Sequence, residues 1–543
     1  VFELAHVRRG FDEEALHFAD PVARHFCPAA CFAGVAAADV APTLRVQIGT
    51  VDAYGGIRWS NHNAAFAFTV LGAPTLRISD PTGKGAVLEP VITNGRLAAV
   101  NVLKAGRGYT NPTVSVQAAL GNGAVIGQID VNGRDFPAAV SYFQQRRIFA
   151  GTEDKPQNVW MTKSGTESDM SYSIPTRADD RISFRIAARE ASMVRHIVPL
   201  TKLMLLSSGA EWSVTGGDVL TPNNISVAPQ SYVGASNVQP VIVNNTLLYG
   251  AARGGHVREL AYNWQANGYV TGDLSLRCSH LFDGLDILDM AFSKAPYPVV
   301  WAVSSNGALL GCTYIPEQQI GAWHQHVTDG VFESCACVAE GEADVLYTVV
   351  RRVVGGEQVR YVERMDNRAF AGLGEAFFVD SGLSYRGEPV TELAGLEHLE
   401  GKKVSILGDG AVMPQQVVEG GKVLLPVPAK TVHVGLPITA EMQTVPLAFA
   451  AEAFGQGRMK NVNKLWLRVY RSSGVFAGQA DAELVEYKQR TTEPAGTPPA
   501  LKTDEIEIVL KAQWNTNGQI TVRQVHPLPL TVLSMTAEVA IGG

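Results

Sequence analysis

The sequence predicts an all-β fold: a β-propeller with an N-terminal β insertion module and small C-terminal β-barrel or sandwich domains. Three observations carry this reading. Helix-like periodicity is nearly absent, while 53 glycines and 28 prolines accompany 46% hydrophobic residues, the texture of short strands between turns. A unit made of an apolar strand, a glycine turn and an aromatic-bearing strand recurs about five times between residues 136 and 370. Its anchoring aromatics, Trp160, Trp212, Tyr262, Tyr314 and Tyr361, are spaced 52, 50, 52 and 47 residues apart, close to the period of propeller blades.

The unit is clearest from Phe136 to Gly165. Val140, Tyr142, Phe143, Ile148 and Phe149 lead to Gly151, a polar turn holds Pro156, and a strand returns through Val159 and Trp160, so two strands and a turn form the block. Later copies use the apolar runs Leu203 to Leu206, Leu247 to Tyr249, Val299 to Val303 and Val345 to Val349, followed by Gly209, Gly254, Gly307 and Gly355. One small sheet cannot bury both of its faces alone, and radial stacking solves this while leaving short edges. A large two-sheet sandwich is the alternative. The blade aromatics Trp160, Trp212 and Tyr314 are expected to be buried between sheets.

Composition sets further limits. A chain of 543 residues suits three or four domains, and the boundaries fall at 1–45 (an N-terminal segment), 46–135 (a glycine-rich β module), 136–370 (the propeller) and 371–543 (the barrel or sandwich region). The net charge of −7 argues against a dedicated nucleic-acid binder. Six cysteines at irregular spacing, Cys27, Cys31, Cys278, Cys312, Cys335 and Cys337, suggest free thiols and assembly in a reducing compartment. No secretory signal is visible, the lipophilic stretches are too short or too interrupted to span a membrane, and residue 1 is Val, so the natural N-terminus is expected to be missing.

Taken in order, Asp12 to Phe18 suits one short helix. Ala86 to Val102 is a hairpin whose Asn94–Gly95 pair supplies the positive φ angles of a tight turn. Gly85 to Leu88 and Gly123 to Ile126 repeat a Gly, Ala, Val, aliphatic start around KAGRGYTNP at 104–112, a pattern that resembles small glycine-rich β modules of phage structural proteins. After Met365 the repeat stops. Val404 to Leu407, an Asp409–Gly410 turn, Val417 and Val418, a Gly420–Gly421 turn, Val423 to Leu425 and Val432 to Val434 suit a small barrel or compact sandwich. A strand at Leu465 to Tyr470, a solvated loop from Gln489 to Ala500, and paired strands at Glu505 to Leu510 and Ile520 to Val525 close the chain.

Two constellations bear on chemistry. His324, His326, Cys335 and Cys337 form two i, i+2 pairs that suit a zinc site, although structural zinc takes wider spacings within a pair; packed cysteines beside a solvated histidine turn are the alternative. Acidic clusters at Asp179 and Asp180, at Asp283, Asp286 and Asp289, and at Glu340, Glu342 and Asp344 allow a paired-carboxylate hydrolase, against ordinary solvated loop charges. The Ser-x-Asp-x-Gly-x-Thr-Trp box of sialidase blades, the Walker-type phosphate loop, the Gly-x-Ser-x-Gly elbow and the His-Glu-x-x-His helix are all absent from the sequence. The strand pairs Arg146–Arg147 and Arg351–Arg352 read as interface or solvent contacts rather than a DNA-reading stripe.

Phe136 to Gly165, then LTPNNISVAPQSYVGASNVQPVIVNNTLLYG at 220–250, RELAYN at 258–263, DLSLRCSHLF at 273–282 and YVERM at 361–365 resemble the tail nozzle (tail tubular) proteins of short-tailed bacteriophages. So do DSGLSYRG at 380–387, GLEHLEGKKVSILGDG at 395–410, VHVGLP at 432–437 and the closing RQVHPLPLTVLSMTAEV at 523–539. The resemblance covers residues 136 to 543, and the first 130 residues depart from it. It implies a structural, non-enzymatic virion protein with a propeller and additional β domains. Six copies would form a tube below portal and adaptor rings, beside the tail fibres, assembled in the bacterial host cytoplasm and placed in the virion tail. Double-stranded DNA would pass through on ejection without sequence-specific binding, and the resemblance implies no catalytic, cofactor or metal residues and names no channel-lining ones. With no basic stripe available, the bore is expected to be neutral or negative, so that phosphates are repelled weakly rather than gripped. The alternative is a β-propeller glycoside hydrolase acting on surface polysaccharide.

Overall fold

The computed structural model describes residues 2–4, 45–48, 74–93, 96–104, 106–117, 126–130, 136–173, 175–448, 457–480, 482–490, 492–494 and 497–542. The expected helix at Asp12 to Phe18, the Asn94–Gly95 turn, most of Gly123 to Ile126, and Cys27 and Cys31 lie outside these residues. Those described form an all-β protein that divides into two compact units, one of Gly10–Asp286 and one of Val1–Arg9 with Ile287–Gly543.

The first unit holds three four-stranded antiparallel meanders. The first sheet runs through Ala139–Phe143, Arg146–Ala150, Asn158–Met161 and Ile182–Arg185. The repeat is thus four strands, where the sequence suggested two. Gln144 and Gln145 make the missed turn, both at positive φ (46° and 59°), the conformation of a two-residue hairpin turn for which glutamine gives no signal. The second sheet comprises Val194–Pro199, Leu203–Ser207, Glu211–Thr215 and Ser226–Ser231, and the third Val241–Val243, Thr246–Gly250, Val257–Asn263 and Gly268–Asp273.

Strand alternation explains how these sheets stack. Leu203 and Leu205 enter one apolar cluster with Ile148, Val159 and Met161 of the first sheet, whereas Met204 and Leu206 enter another with Leu247, Tyr249 and Leu260 of the third. The middle sheet is therefore buried on both faces by its neighbours, and every residue of Leu203–Ser207 is buried.

Each anchoring aromatic lies on the third strand of its sheet, but burial differs among them. Trp212 and Tyr314 are buried, Trp160 and Tyr361 half-buried, and Tyr262 is 47% exposed. Trp160 falls short of the expected burial because Val159 and Met161 beside it face the core, which turns the indole to the other side of the strand.

The glycine-rich module carries the predicted hairpin as Val87–Thr93 and Arg96–Lys104, with Thr75–Ser79 paired to Thr113–Gln117. Asp80 clasps its two ends. Its carboxylate accepts backbone N–H bonds from Thr82 (2.9 Å), Gly83 (2.7 Å), Thr110 (3.1 Å) and Asn111 (2.7 Å). Desolvation pushes this carboxyl up, and the backbone donors more than reverse it, holding it well below the usual range. Gly83 lies against the Tyr109 ring so closely that a Cβ there would stand 2.1 Å from it.

In the second unit the fourth sheet (Ile287–Ser293, Val299–Ser304, Leu309–Ile315, Ile320–His326) packs on a fifth (Val331–Glu340, Ala343–Val354, Glu357–Met365) through Trp301, Val303, Phe332 and Val350. Phe2–Leu4 supplies the fifth sheet's fourth strand, pairing antiparallel with Glu357–Met365 and parallel with Asp380–Ala394. It thereby joins that sheet to the one formed by Asp380–Ala394, Lys422–Leu436, Lys403–Gly408 and Ala411–Val417.

Lys422–Leu436 is a single strand where two were expected. Pro426 and Pro428, between the two expected strands, fall where the partner strand's register shifts and no ladder bond is required of them. The expected pairing of the last strands is also corrected. Lys502–Val509 pairs with Lys460–Ser472, while Ile520–Gln524 pairs with Ala440–Gln443 and Phe476–Gln479. The two sheets enclose a common core of Val462, Leu465, Ala477, Ile506 and Val522, an arrangement that buries both inner faces in a sandwich.

Candidate functional site

His324 and His326 share a face of the outer strand of the fourth sheet. Their ring centroids stand 5.2 Å apart and 5.8 and 5.5 Å from Trp301, and Gly311 leaves room for the His324 ring. Cys335 and Cys337 lie on Val331–Glu340, with Cys335 inside the cluster that contains Trp301. Burial pushes both thiols up, Cys337 to about 12. Among the described residues, no three His, Cys, Asp or Glu side chains converge as a metal site. Cys278, Cys312, Cys335 and Cys337 are free thiols.

At least one member of each acidic cluster makes an internal tie. Asp180, fully buried, accepts from the backbone N–H groups of Ser173 (2.8 Å) and Arg177 (2.7 Å). Asp289 accepts from the Cys335 N–H at 3.0 Å and so links the fourth and fifth sheets. Asp344 makes a second link by accepting from Lys294 (2.5 Å) and Ala295 (3.2 Å). Glu340 binds Arg364 at 3.0 Å and the Tyr347 hydroxyl.

The arginine pairs need correction, because neighbours in a strand point to opposite faces. Arg146 is buried and donates to the carbonyls of Thr162 (2.7 Å), Asp180 (2.6 Å) and Ala178 (2.8 Å), while Arg147 faces outward to Glu167. Arg352 is likewise buried, bidentate to Glu363 at 2.5 and 2.8 Å and 3.3 Å from Asp380, whereas Arg351 meets Glu333. Burial raises Glu363 above the ordinary carboxylate range despite this partner.

A polar network that no motif announced runs through the second and third sheets. Buried Glu211 accepts from the Ser231 hydroxyl, and its charge, after burial, helps to push up the nearby Tyr249 hydroxyl, which lies 3.4 Å from that of Thr271. Arg258 reaches Thr271 at 3.3 Å and Asp273 at 3.1 Å. His256 then bridges Asp273 at 2.9 Å and Asp283 at 3.0 Å. The bond to Asp273, followed by that to Asp283, raises the imidazole above its ordinary value. The chain has the ingredients of proton transfer, yet Glu211 is fully buried and Asp283 mostly exposed, so its two ends do not flank one bond.

An open groove of about 420 Å³ lies between the outer strands of the first and second sheets, lined in part by Tyr172, Arg181, Phe184, Arg185, Ile225 and Val227. Neither this groove nor the histidine and cysteine pairs supplies two facing carboxylates. No helix among the described residues is long and apolar enough to cross a membrane.

No protein-family model matches the chain, and no curated protein does. Among solved structures, a luciferin-regenerating enzyme is 11% identical, covering 43% of this chain and 91% of its own at a TM-score of 0.20. Raptor of Chaetomium thermophilum is also 11% identical, covering 56% of this chain and 28% of its own at a TM-score of 0.26. This chain thus spans little more than a quarter of Raptor's length, and at these scores the likenesses carry no inference about fold or function.

Proposed function

We propose that this chain is a structural protein of a phage tail, a subunit of a nozzle ring through which the genome is retained and then ejected. The sequence resemblance over residues 136 to 543 is the basis of the reading. The observation that carries it in the fold is the way charged side chains are used: Asp180, Asp289, Asp344, Arg146 and Arg352 are each bonded inside the protein, fixing sheet to sheet and loop to sheet. A rigid subunit that withstands DNA passage has use for such ties, and an enzyme would keep some carboxylates free in a cleft. The meander sheets are read as propeller blades, each buried by its neighbours as Leu205 and Leu206 illustrate. Head-to-tail contacts between identical copies would close the ring, with six as the expected number. Portal, adaptor and fibre proteins are the proposed partners, and the virion tail is the proposed location.

The test is the native mass of the purified chain on its assembly platform, with polysaccharide cleavage assayed on the same sample. A closed ring without cleavage supports the reading. A monomer that degrades polysaccharide, and loses that activity on substitution of one Asp or Glu, would replace it with the hydrolase.

A further inference from the structure

The groove between the first two sheets has an uneven chemistry. One wall is Ile182–Arg185, the outermost strand of the first sheet, and the other carries Ile225 and Val227 beside the outermost strand of the second. Among the described residues each of these strands pairs on one side only, which leaves a row of backbone donors and acceptors at a sheet edge. Arg181 is half-buried with its guanidinium 4.7 Å from the Tyr172 ring centroid, and Arg185 is exposed, held 3.0 Å from the Gln157 amide oxygen. Neither guanidinium is in an ion pair among the described residues, although Glu89 stands close enough to push up the Tyr172 hydroxyl beside Arg181. In a chain of net charge −7, two arginines outside any ion pair among the described residues stand beside an apolar wall.

We propose that this groove binds an extended acidic segment of a partner protein. The segment's main chain adds to the free edge of Ile182–Arg185, its carboxylates reach Arg181 and Arg185, and its alternate apolar side chains lie against Ile225 and Val227. Strand addition supplies the backbone bonds and the alternation of side chains sorts charge from apolar surface. Arginine suits the task because its planar fork binds carboxylates bidentately, and stacking on Tyr172 holds one fork in place. A free strand edge favours a peptide over a nucleic acid, which has no main chain to add. The inference does not depend on the tail reading, since it concerns only the chemistry of this groove.

The experiment is fluorescence anisotropy of a labelled (Glu-Val)4 peptide titrated with the full chain at low salt, with hydrogen exchange followed at residues 182–185. Saturable binding is expected, with slowed exchange in that strand. Arg181→Gln combined with Arg185→Gln should weaken binding by about tenfold or more, the scale of losing one charge-assisted contact. Val227→Glu, which puts a like charge on the opposite wall, should weaken it as well. Thermal unfolding of each variant checks that the fold is retained. Three outcomes overturn the proposal: no saturable binding by the parent, equal binding of (Ser-Val)4 or duplex DNA, or full competition by inorganic phosphate at concentrations comparable to the peptide.

Discussion

His256 holds Asp273 through Nδ1 at 2.9 Å, while its other ring nitrogen lies 3.0 Å from Asp283. A carboxylate at each nitrogen favours the imidazolium, in which both nitrogens donate. The folded pKa is raised above the ordinary 6.5, first by Asp273 and then by Asp283, so the folded state binds the proton more tightly than the unfolded one. The stabilisation is therefore complete below about pH 6.5 and is lost as pH rises through the folded value. Intrinsically corrected amide exchange of residues 274–285 should speed up over that rise. His256→Gln should abolish the pH dependence of this segment and cost about 1 kcal/mol, because Arg258 still pairs with Asp273 at 3.1 Å and Asp283 is 65% exposed, where water screens it.

His196 is predicted to behave in the opposite way. It is buried, its Nε2 donates to the Ser236 carbonyl at 2.8 Å, and burial pushes its pKa down to about 4. The unfolded chain binds the proton first, so stability is present above pH 6.5 and falls as pH drops toward 4, by about 3 kcal/mol over the full interval. Denaturant titrations of the parent and His196→Gln at pH 7 and pH 4.5 should show a smaller acid loss in the variant.

Arg146 and Arg147 are neighbours with unequal roles. Replacing Arg146 by Met leaves the buried carbonyls of Thr162 and Asp180 without their donor and should cost about 3 kcal/mol, whereas Arg147→Gln should stay within ~0.5 kcal/mol. Equal denaturant midpoints for the two variants would contradict the burial assigned to Arg146.

Leu205 and Leu206 address the stacking of the sheets. Each is fully buried, but they belong to different clusters on opposite faces of one strand. Each Leu→Ala change should cost about 2 to 5 kcal/mol. Because the faces share no apolar partner, the double variant should depart from additivity by no more than about 0.5 kcal/mol. A large coupling would mean that both side chains pack into a single core.

The parts of the fold legible in the sequence were those in which a local signal and burial coincide. Leu203–Ser207, Thr246–Gly250 and Val299–Ser304 are apolar runs because both sheet faces are covered, and Gly254, Gly307 and Gly355 mark turns that require positive φ. The outer strands were missed because, like Ile320–His326, they are mostly exposed and show no alternation. The Phe2–Leu4 strand pairs with Met365 and its neighbours across most of the chain, a relation without any local trace. The same limit governs the candidate site. Arg146 and Arg352 look like surface charges in a linear reading, because residue type does not reveal which face of a strand meets the core. The Asp80 clasp had a visible half, the turn-forming Asp-Pro-Thr-Gly run at 80–83, while its other donors, Thr110 and Asn111, lie about thirty residues away.

The measurement that tests the proposed role most directly is the symmetry and mass of the native assembly on its portal and adaptor platform, by native mass spectrometry and imaging of the isolated tail. The expected result is one closed ring of identical subunits in head-to-tail contact, six in number, with a bore that passes duplex DNA. A two-fold or linear arrangement, or a chain that remains monomeric on the platform and cleaves polysaccharide, would contradict it.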